Sequence, residues 1–236
     1  MFSKQSNSSS DRPVALDSGD QKLVYYSKNH GVQRLQAIGK FEPFYWGDAV
    51  VYICGRRGSG KSTYANLYIK NYVKATDKRV FFMSRFEEDP SVQLPERSMR
   101  LSLEDIDEYD FHDMNDSLIV IDDINNAQLT PKQIKSVKRF IGDVIENSRH
   151  INTSIVMTSH LCSSYSSTRS ILNEASSIVV YPQFSNQYFI EQCLTRYYGL
   201  KKDSINHILT ITNSRWININ TIEPKFILTE KEIFTL

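Results

Sequence analysis

The chain has 236 residues, a formal net charge of +1 and 40% hydrophobic residues. This length is sufficient for one α/β domain with a sizeable core, and the near-neutral charge excludes a global polycation, so any DNA-binding surface must be local. The three cysteines have no C-x-x-C spacing, which argues against a disulfide framework or a zinc site. No apolar run approaches the ~20 residues of a membrane span, and we expect a soluble intracellular protein.

Residues 1–21 are serine-rich and poor in apolar side chains, and we expect them to form a disordered tail. From residue 22 onward, apolar strand candidates alternate with amphipathic helix candidates. This alternation predicts a single α/β domain over residues 22–236, with a mainly parallel central sheet flanked by helices. Ligands of such sheets bind at the carboxyl ends of the strands.

Residues 55–62 read G-R-R-G-S-G-K-S, the complete G-x-x-x-x-G-K-[ST] pattern of a phosphate-binding loop, or P-loop. A strand candidate at 49–54 precedes it and a helix candidate at 63–73 follows, as this loop requires. The pattern predicts that Lys61 contacts the β- and γ-phosphates and acts in catalysis, while Ser62 binds Mg²⁺. The predicted nucleotide-binding residues are Gly55, Arg56, Arg57, Gly58, Ser59, Gly60, Lys61, Ser62 and Thr63. The alternative is a glycine-rich turn without nucleotide.

Further strand candidates lie at residues 78–84 and 99–101, before an apolar run at 117–124 that contains Asp122 and Asp123. Such a run is typical of a buried central strand whose carboxyl end opens on the ligand crevice. We expect Asp122 to hold Mg²⁺ as the Walker B carboxylate and Asp123 to orient and deprotonate an attacking water. The alternative is a pair of turn residues that close an ordinary strand.

A helix is predicted to begin after Thr130, with Thr130 as N-cap and Pro131 at the first helical position. Its apolar residues recur at helical spacing at positions 134, 137, 141 and 145, and the helix candidate leads to Arg149. The strand candidate that follows, at 153–160, ends in His160. We interpret His160 as a polar sensor of the γ-phosphate or of the attacking water, the alternative being a satisfied histidine at a strand end.

The order of these motifs resembles the FtsK–HerA superfamily of P-loop ATPases: P-loop, strand with Asp-Asp, helix ending in N-S-R-H, strand ending in T-S-H. More closely, it resembles the genome-packaging ATPases of nucleocytoplasmic large DNA viruses, the poxvirus enzyme included, and of virophages. Segments 168–175, 177–181, 214–217 and 224–228 look like the family's next helix, next strand and closing strands, so the resemblance covers about residues 36–236. The family often carries glutamine at the position of His160.

The resemblance implies a RecA-like motor core at about residues 48–182 and C-terminal helices and closing strands at about 183–236. It also implies a motor that hydrolyses ATP with Mg²⁺ to translocate double-stranded DNA, packaging a viral genome into a preformed capsid. The implied partners are double-stranded DNA, a homo-oligomeric ring of five or six copies, and components of the capsid vertex or portal. The implied location is the host cytoplasm, in a viral factory, and the virion.

A motor that couples hydrolysis to its neighbours often takes an arginine from outside the site, since γ-phosphate transfer relies on positioning and charge neutralisation. Arg149 is the first candidate for a catalytic residue acting in trans, and Arg169 is the second. For Arg149 the alternative is an arginine that satisfies the carbonyls and the dipole at the end of its helix.

Other functional classes remain open on the sequence. A nucleotide kinase shares the P-loop, but a second carboxylate after Walker B is less expected there. A GTPase is disfavoured because the chain has no N-K-x-D motif. A non-enzymatic assembly protein that retains a structural nucleotide is the alternative from a different class.

Overall fold

The computed structural model describes residues 1–6, 8, 11–27, 32–44, 49–86, 92–124, 128–162, 165–223 and 225–236, with the backbone alone for 165–167. In chain order its strands are β1 (Phe2–Ser3), β2 (Arg12–Asp17), β3 (Lys22–Tyr26), β4 (Arg34–Gln36), β5 (Phe41–Pro43), β6 (Val50–Cys54), β7 (Arg79–Ser84), β8 (Ser98–Ser102), β9 (Ser117–Ile121), β10 (Ser154–Ser159), β11 (Ser177–Val180), β12 (Ile217–Asn220), β13 (Phe226–Thr229) and β14 (Glu232–Thr235). Its α-helices are α1 (Lys61–Thr76), α2 (Pro131–Asn147), α3 (Tyr165–Glu174), α4 (Gln187–Tyr198) and α5 (Lys202–Thr210), and short 3₁₀ helices cover Leu103–Glu108 and Phe111–Met114.

The main sheet of the described residues has the strand order β4-β14-β13-β12-β11-β6-β10-β9-β7-β8. Strands β11, β6, β10, β9, β7 and β8 are parallel, whereas β12, β13, β14 and β4 pair antiparallel. Neighbouring parallel strands need crossover connections, and helices α1, α2 and α3 lie in these connections. The predicted mainly parallel sheet flanked by helices is confirmed.

Apolar side chains fill both faces of this sheet. Along β6, Tyr52 packs in the cluster on one face, and Val51 and Ile53 pack in the cluster on the other. Successive side chains of a strand point to opposite faces, so a strand that is apolar at every position is covered on both sides. Every residue of β6 and β9 is buried, which fixes the two strands that carry the P-loop and the carboxylate pair.

The helix predicted after Thr130 is confirmed as α2. The Thr130 hydroxyl accepts a hydrogen bond from the Gln133 amide, and the Gln133 side chain accepts one from the Thr130 amide, which completes a capping box. Val137 and Ile141 are buried on the inner face of the helix. The strands predicted at 78–84 and 99–101 are present as β7 and β8. Among the described helices, none combines the length and apolarity needed to cross a membrane.

The N-terminal region differs from the disordered tail predicted over residues 1–21. Strands β1, β3, β2 and β5 form a small sheet, and Val14 is buried in it. The buried Asp17 carboxylate accepts hydrogen bonds from Lys4 Nζ at 2.6 Å, from Ile38 N at 2.7 Å and from the amides of Gly19 and Gly39. Burial opposes ionisation of Asp17, but these donors outweigh it and lower its pKa to about 2. Because most of these partners are distant in sequence, local composition does not reveal this order.

Candidate nucleotide-binding site

The P-loop joins the end of β6 to the start of α1, at the carboxyl edge of the parallel strands. Gly58 and Gly60 have φ values of 76° and 113°, in the left-handed region that side chains with a Cβ rarely adopt. A Cβ on Gly55 would lie 2.7 Å from Tyr181 Cδ2 and 2.7 Å from Ser59 Oγ, so the loop also needs glycine there for space. The shape of the loop therefore follows from its three glycines.

Lys61, the first residue of α1, lies over this loop. Its Nζ donates hydrogen bonds to the carbonyl oxygens of Gly55 at 2.9 Å and Arg56 at 3.2 Å, and lies 3.3 Å from His160 Nδ1. Burial lowers the pKa of Lys61, while the carboxylates of Asp123 and Asp122 oppose this shift. The ammonium is thus held where a phosphate entering the loop would meet it.

Thr158 of β10 connects Asp122, the predicted Mg²⁺ ligand, with Asp123, the predicted catalytic base. Parallel pairing of Met157 with Ile121 brings Thr158 beside the residues that follow β9. The Thr158 hydroxyl donates to Asp122 Oδ1 at 2.6 Å and accepts from the Asp123 amide at 2.8 Å. The sequence motifs assign no role to Thr158, although its position two residues before His160 is a signal that could have found it.

Asp123 adopts a left-handed backbone conformation, with φ of 53°, which is uncommon for a residue other than glycine. Its Oδ1 is buried and accepts no hydrogen bond from the described residues. Leaving such an oxygen unsatisfied costs ~1–3 kcal/mol. Backbone strain and an unused hydrogen-bond acceptor therefore occur at the same residue. The acceptor can take a hydrogen bond from a molecule outside the chain, such as a water.

His160 bridges the lysine and the carboxylate. Its Nε2 lies 3.6 Å from Asp123 Oδ2, while its Nδ1 faces Lys61, and the side chain is 45% exposed. The structure therefore brings Lys61, Asp122, Asp123 and His160 together at one end of the P-loop. A histidine with ionised neighbours of both signs and access to solvent can hold a water or a phosphate oxygen between them.

The oxygen donors beside the loop fit Mg²⁺. Ser62 is half-buried in the first turn of α1, and Asp122 lies at the end of the buried strand β9. Hydroxyl and carboxylate oxygens are the ligand types that Mg²⁺ prefers. The other predicted nucleotide contacts, Arg56, Arg57 and Thr63, are exposed at the rim of the loop.

Arg149 does not lie in the site of its own chain. It is exposed in the turn after α2, where the Asp116 amide, just before β9, donates to the Ile151 carbonyl at 2.8 Å. This turn is at the amino ends of β9 and β10, whereas the P-loop is at the carboxyl ends of the parallel strands. Arg149 and the P-loop of one chain therefore lie at opposite edges of the sheet. Arg169 is exposed on α3.

Arg215 contacts the P-loop, although no sequence motif assigns it a role. Its Nε donates to the Ser59 carbonyl at 2.7 Å and its NH2 to the Gly58 carbonyl at 2.8 Å. With these carbonyls engaged by Arg215, the loop is held by a side chain from the segment just before β12. Arg215 is 156 residues from Ser59 in sequence, and no local pattern marks it.

The chain matches a known protein family and a viral relative. A family model described as an AAA domain matches residues 47–189. The chain is 39% identical over 194 residues to the uncharacterised protein V3 of Sputnik virophage, covering 79% of this chain and 77% of the relative.

Two solved structures share the fold. The genome packaging NTPase B204 of Sulfolobus turreted icosahedral virus 2, in complex with AMPPCP, superposes with a TM-score of 0.51 at 15% identity, covering 78% of this chain and 97% of that one. The cytoplasmic domain of the type VII secretion ATPase EccC of Thermomonospora curvata gives 0.56 at 11% identity, covering 92% and 28%. The predicted resemblance to viral packaging ATPases and virophage proteins is confirmed.

Proposed function

Since this chain belongs to a family of AAA domains, we propose that it is an ATPase motor that translocates double-stranded DNA and packages a viral genome into a preformed capsid. The observation that carries the catalytic part is the Asp122–Thr158–Asp123 network beside Lys61. In this network Asp122 and Asp123 have different surroundings, as expected if one carboxylate binds the metal and the other acts as the base.

In this proposal the P-loop amides and Lys61 bind the nucleotide phosphates. Ser62 and Asp122 would hold Mg²⁺, which neutralises charge on the β- and γ-phosphates when bound. Asp123 accepts a proton from the attacking water through its unused Oδ1. His160, between Lys61 and Asp123, orients that water or a γ-phosphate oxygen. Nucleotide binding is supported by the complex of the structural neighbour B204 with AMPPCP.

The proposed motor activity depends on assembly of several copies of this chain. Arg149 is exposed at the edge of the sheet opposite the P-loop, so it would act on the nucleotide of an adjacent subunit in a homo-oligomeric ring of five or six copies. A ring encloses double-stranded DNA and docks on a capsid vertex or portal, and its expected location is the host cytoplasm and the virion. The structural neighbour B204 is a genome packaging NTPase, which supports a packaging role for this chain.

Helix α2 offers a local surface for DNA. Lys132, Lys135, Lys138 and Arg139 are exposed on its outer face, and their spacing places them on one side of the helix. Arg139 is partly neutralised by Asp107, whose carboxylate lies 2.9 Å away. Three lysines on one helix face supply the local positive charge that a chain of net charge +1 needs to contact phosphates.

Two substitutions test the catalytic assignment. Lys61→Ala is expected to abolish most nucleotide binding, because Lys61 contacts phosphate. Asp123→Asn is expected to bind Mg·ATP with near-normal affinity and to hydrolyse it about 10²- to 10⁴-fold more slowly, because only the base is lost. Calorimetry and single-turnover hydrolysis measure the two effects separately. Wild-type hydrolysis by either variant would refute the site. If Asp123→Asn failed to bind Mg·ATP, the metal-binding role would belong to Asp123 and the role of the base to Asp122.

A further inference from the structure

Arg215 and Phe184 form one surface beside the P-loop. The Arg215 Cζ lies 4.9 Å from the centre of the Phe184 ring, while its Nε and NH2 hold the P-loop carbonyls of Ser59 and Gly58. Phe184 remains 39% exposed, so part of the ring is available to a ligand. An aromatic ring supported by a guanidinium group is a stacking surface of fixed orientation.

Hydrogen bonds hold the two segments that carry this surface. The Phe184 amide donates to the Tyr181 carbonyl at 3.0 Å, closing a turn after β11. Gln183 Nε2 donates to the Thr212 carbonyl at 2.9 Å, which links that turn to the segment before β12. The Arg215 amide donates to Glu230 Oε2 at 2.7 Å. The surface is therefore fixed relative to the P-loop before any ligand arrives.

The strand order indicates which end of a bound nucleotide would face the surface formed by Phe184 and Arg215. Strand β6, which leads into the P-loop, lies between β10 and β11. Asp122, Asp123 and His160 follow β9 and β10, so the reacting γ-phosphate belongs on that side of the loop. Phe184 follows β11, on the other side. A nucleotide with its phosphates in the loop must therefore direct its nucleoside toward β11.

We propose that Phe184 and Arg215 bind the nucleobase of the nucleotide, a planar purine stacked on the Phe184 ring. Arg215 packs against this ring and hydrogen-bonds to the backbone of the P-loop, which binds the phosphates. Every base offers a π-face, so stacking alone gives affinity with little discrimination between adenine and guanine. This inference rests on the proposed nucleotide site and adds to it the subsite for the base.

The test compares a ligand that has a base with one that lacks it. Calorimetry on the full chain measures binding of Mg·ATP and of Mg·tripolyphosphate to wild type, Phe184→Ala, Phe184→Tyr and the control Phe189→Ala, an exposed aromatic on α4. Phe184→Ala is expected to weaken ATP binding by about 5- to 150-fold, which corresponds to removal of one base-stacking interaction. Its tripolyphosphate binding should stay at the wild-type level, as should both ligands with Phe184→Tyr and Phe189→Ala.

Equal weakening of both ligands by Phe184→Ala would give Phe184 a purely structural role and overturn the proposal. So would unchanged ATP binding by Phe184→Ala, or an equal effect of Phe189→Ala. A wild-type chain that binds neither ligand would refute the nucleotide site itself. A wild-type chain that binds both, with no difference at Phe184, would refute the base subsite alone.

Discussion

At the scale of single residues, Thr158 determines how the two carboxylates differ. Its hydroxyl donates to Asp122 and accepts from the Asp123 backbone, so Asp122 is held by a side-chain donor while Asp123 keeps a buried acceptor unused. The amide of Asp123, whose backbone is left-handed, donates to this hydroxyl. In the proposed mechanism, this one hydroxyl gives two adjacent, identical side chains different surroundings, suited to metal binding by Asp122 and to base catalysis by Asp123.

Substitution of Thr158 tests this arrangement. Thr158→Val keeps the shape of the side chain and removes both hydrogen bonds, so kcat for ATP is expected to fall by about tenfold or more, with a stability loss of about 1–3 kcal/mol. Thr158→Ser keeps the hydroxyl and serves as the matched control. Steady-state kinetics and thermal unfolding measure the effects. If Thr158→Val hydrolysed ATP at the wild-type rate, orientation of the carboxylates by this hydroxyl would be excluded.

At the scale of elements, α2 has two different faces. Its inner face packs Val137 and Ile141 against the sheet, and its outer face carries Lys132, Lys135 and Lys138. The capping box at Thr130 fixes the start of the helix, and so fixes which residues point outward. The helix can therefore present a basic stripe, formed by these three lysines, without disturbing the core.

Removing the basic stripe should change DNA binding in a salt-dependent way. The triple variant Lys132→Ala, Lys135→Ala, Lys138→Ala is expected to bind DNA of any sequence more weakly and to reduce the salt slope by about one for each phosphate that is no longer neutralised. Fluorescence anisotropy at several salt concentrations measures the slope. The double variant Lys201→Ala, Lys202→Ala, exposed at the start of α5, is the control. A slope unchanged by the triple variant would place the DNA-binding surface elsewhere.

The elements that the sequence predicts best are those marked by short, local sequence motifs. The P-loop, the strand that leads to Asp122 and the helix that starts after Thr130 are each predicted from residues within a few positions of one another. Local motifs do not reveal the roles of Arg215 and Asp17, because their hydrogen-bond partners are distant in sequence. Ser59 is 156 residues from Arg215, and Gly39 is 22 residues from Asp17. Hydrogen bonds across such separations leave no periodic pattern, so the serine-rich, apolar-poor composition of residues 1–21 does not reveal strands β1 and β2.

At the scale of the whole molecule, one chain brings four of the predicted site residues together, but not Arg149. Lys61, Asp122, Asp123 and His160 meet at the P-loop, whereas Arg149 is exposed at the opposite edge of the sheet. If Arg149 completes the site of a neighbour, hydrolysis depends on assembly, and an arginine supplied in this way contributes about 10³- to 10⁵-fold to the rate. DNA that gathers subunits into a ring would raise activity for the same reason.

The most direct measurement is steady-state ATP turnover per subunit across protein concentration, with and without double-stranded DNA. We predict that wild-type specific activity rises with concentration and rises further with DNA, while Arg149→Ala binds ATP normally and stays slow throughout. An excess of Lys61→Ala subunits, which keep Arg149, should restore turnover to Arg149→Ala subunits in mixed assemblies. Activity that is independent of concentration and of DNA, or the absence of ATP hydrolysis by the wild type, would contradict the proposed motor.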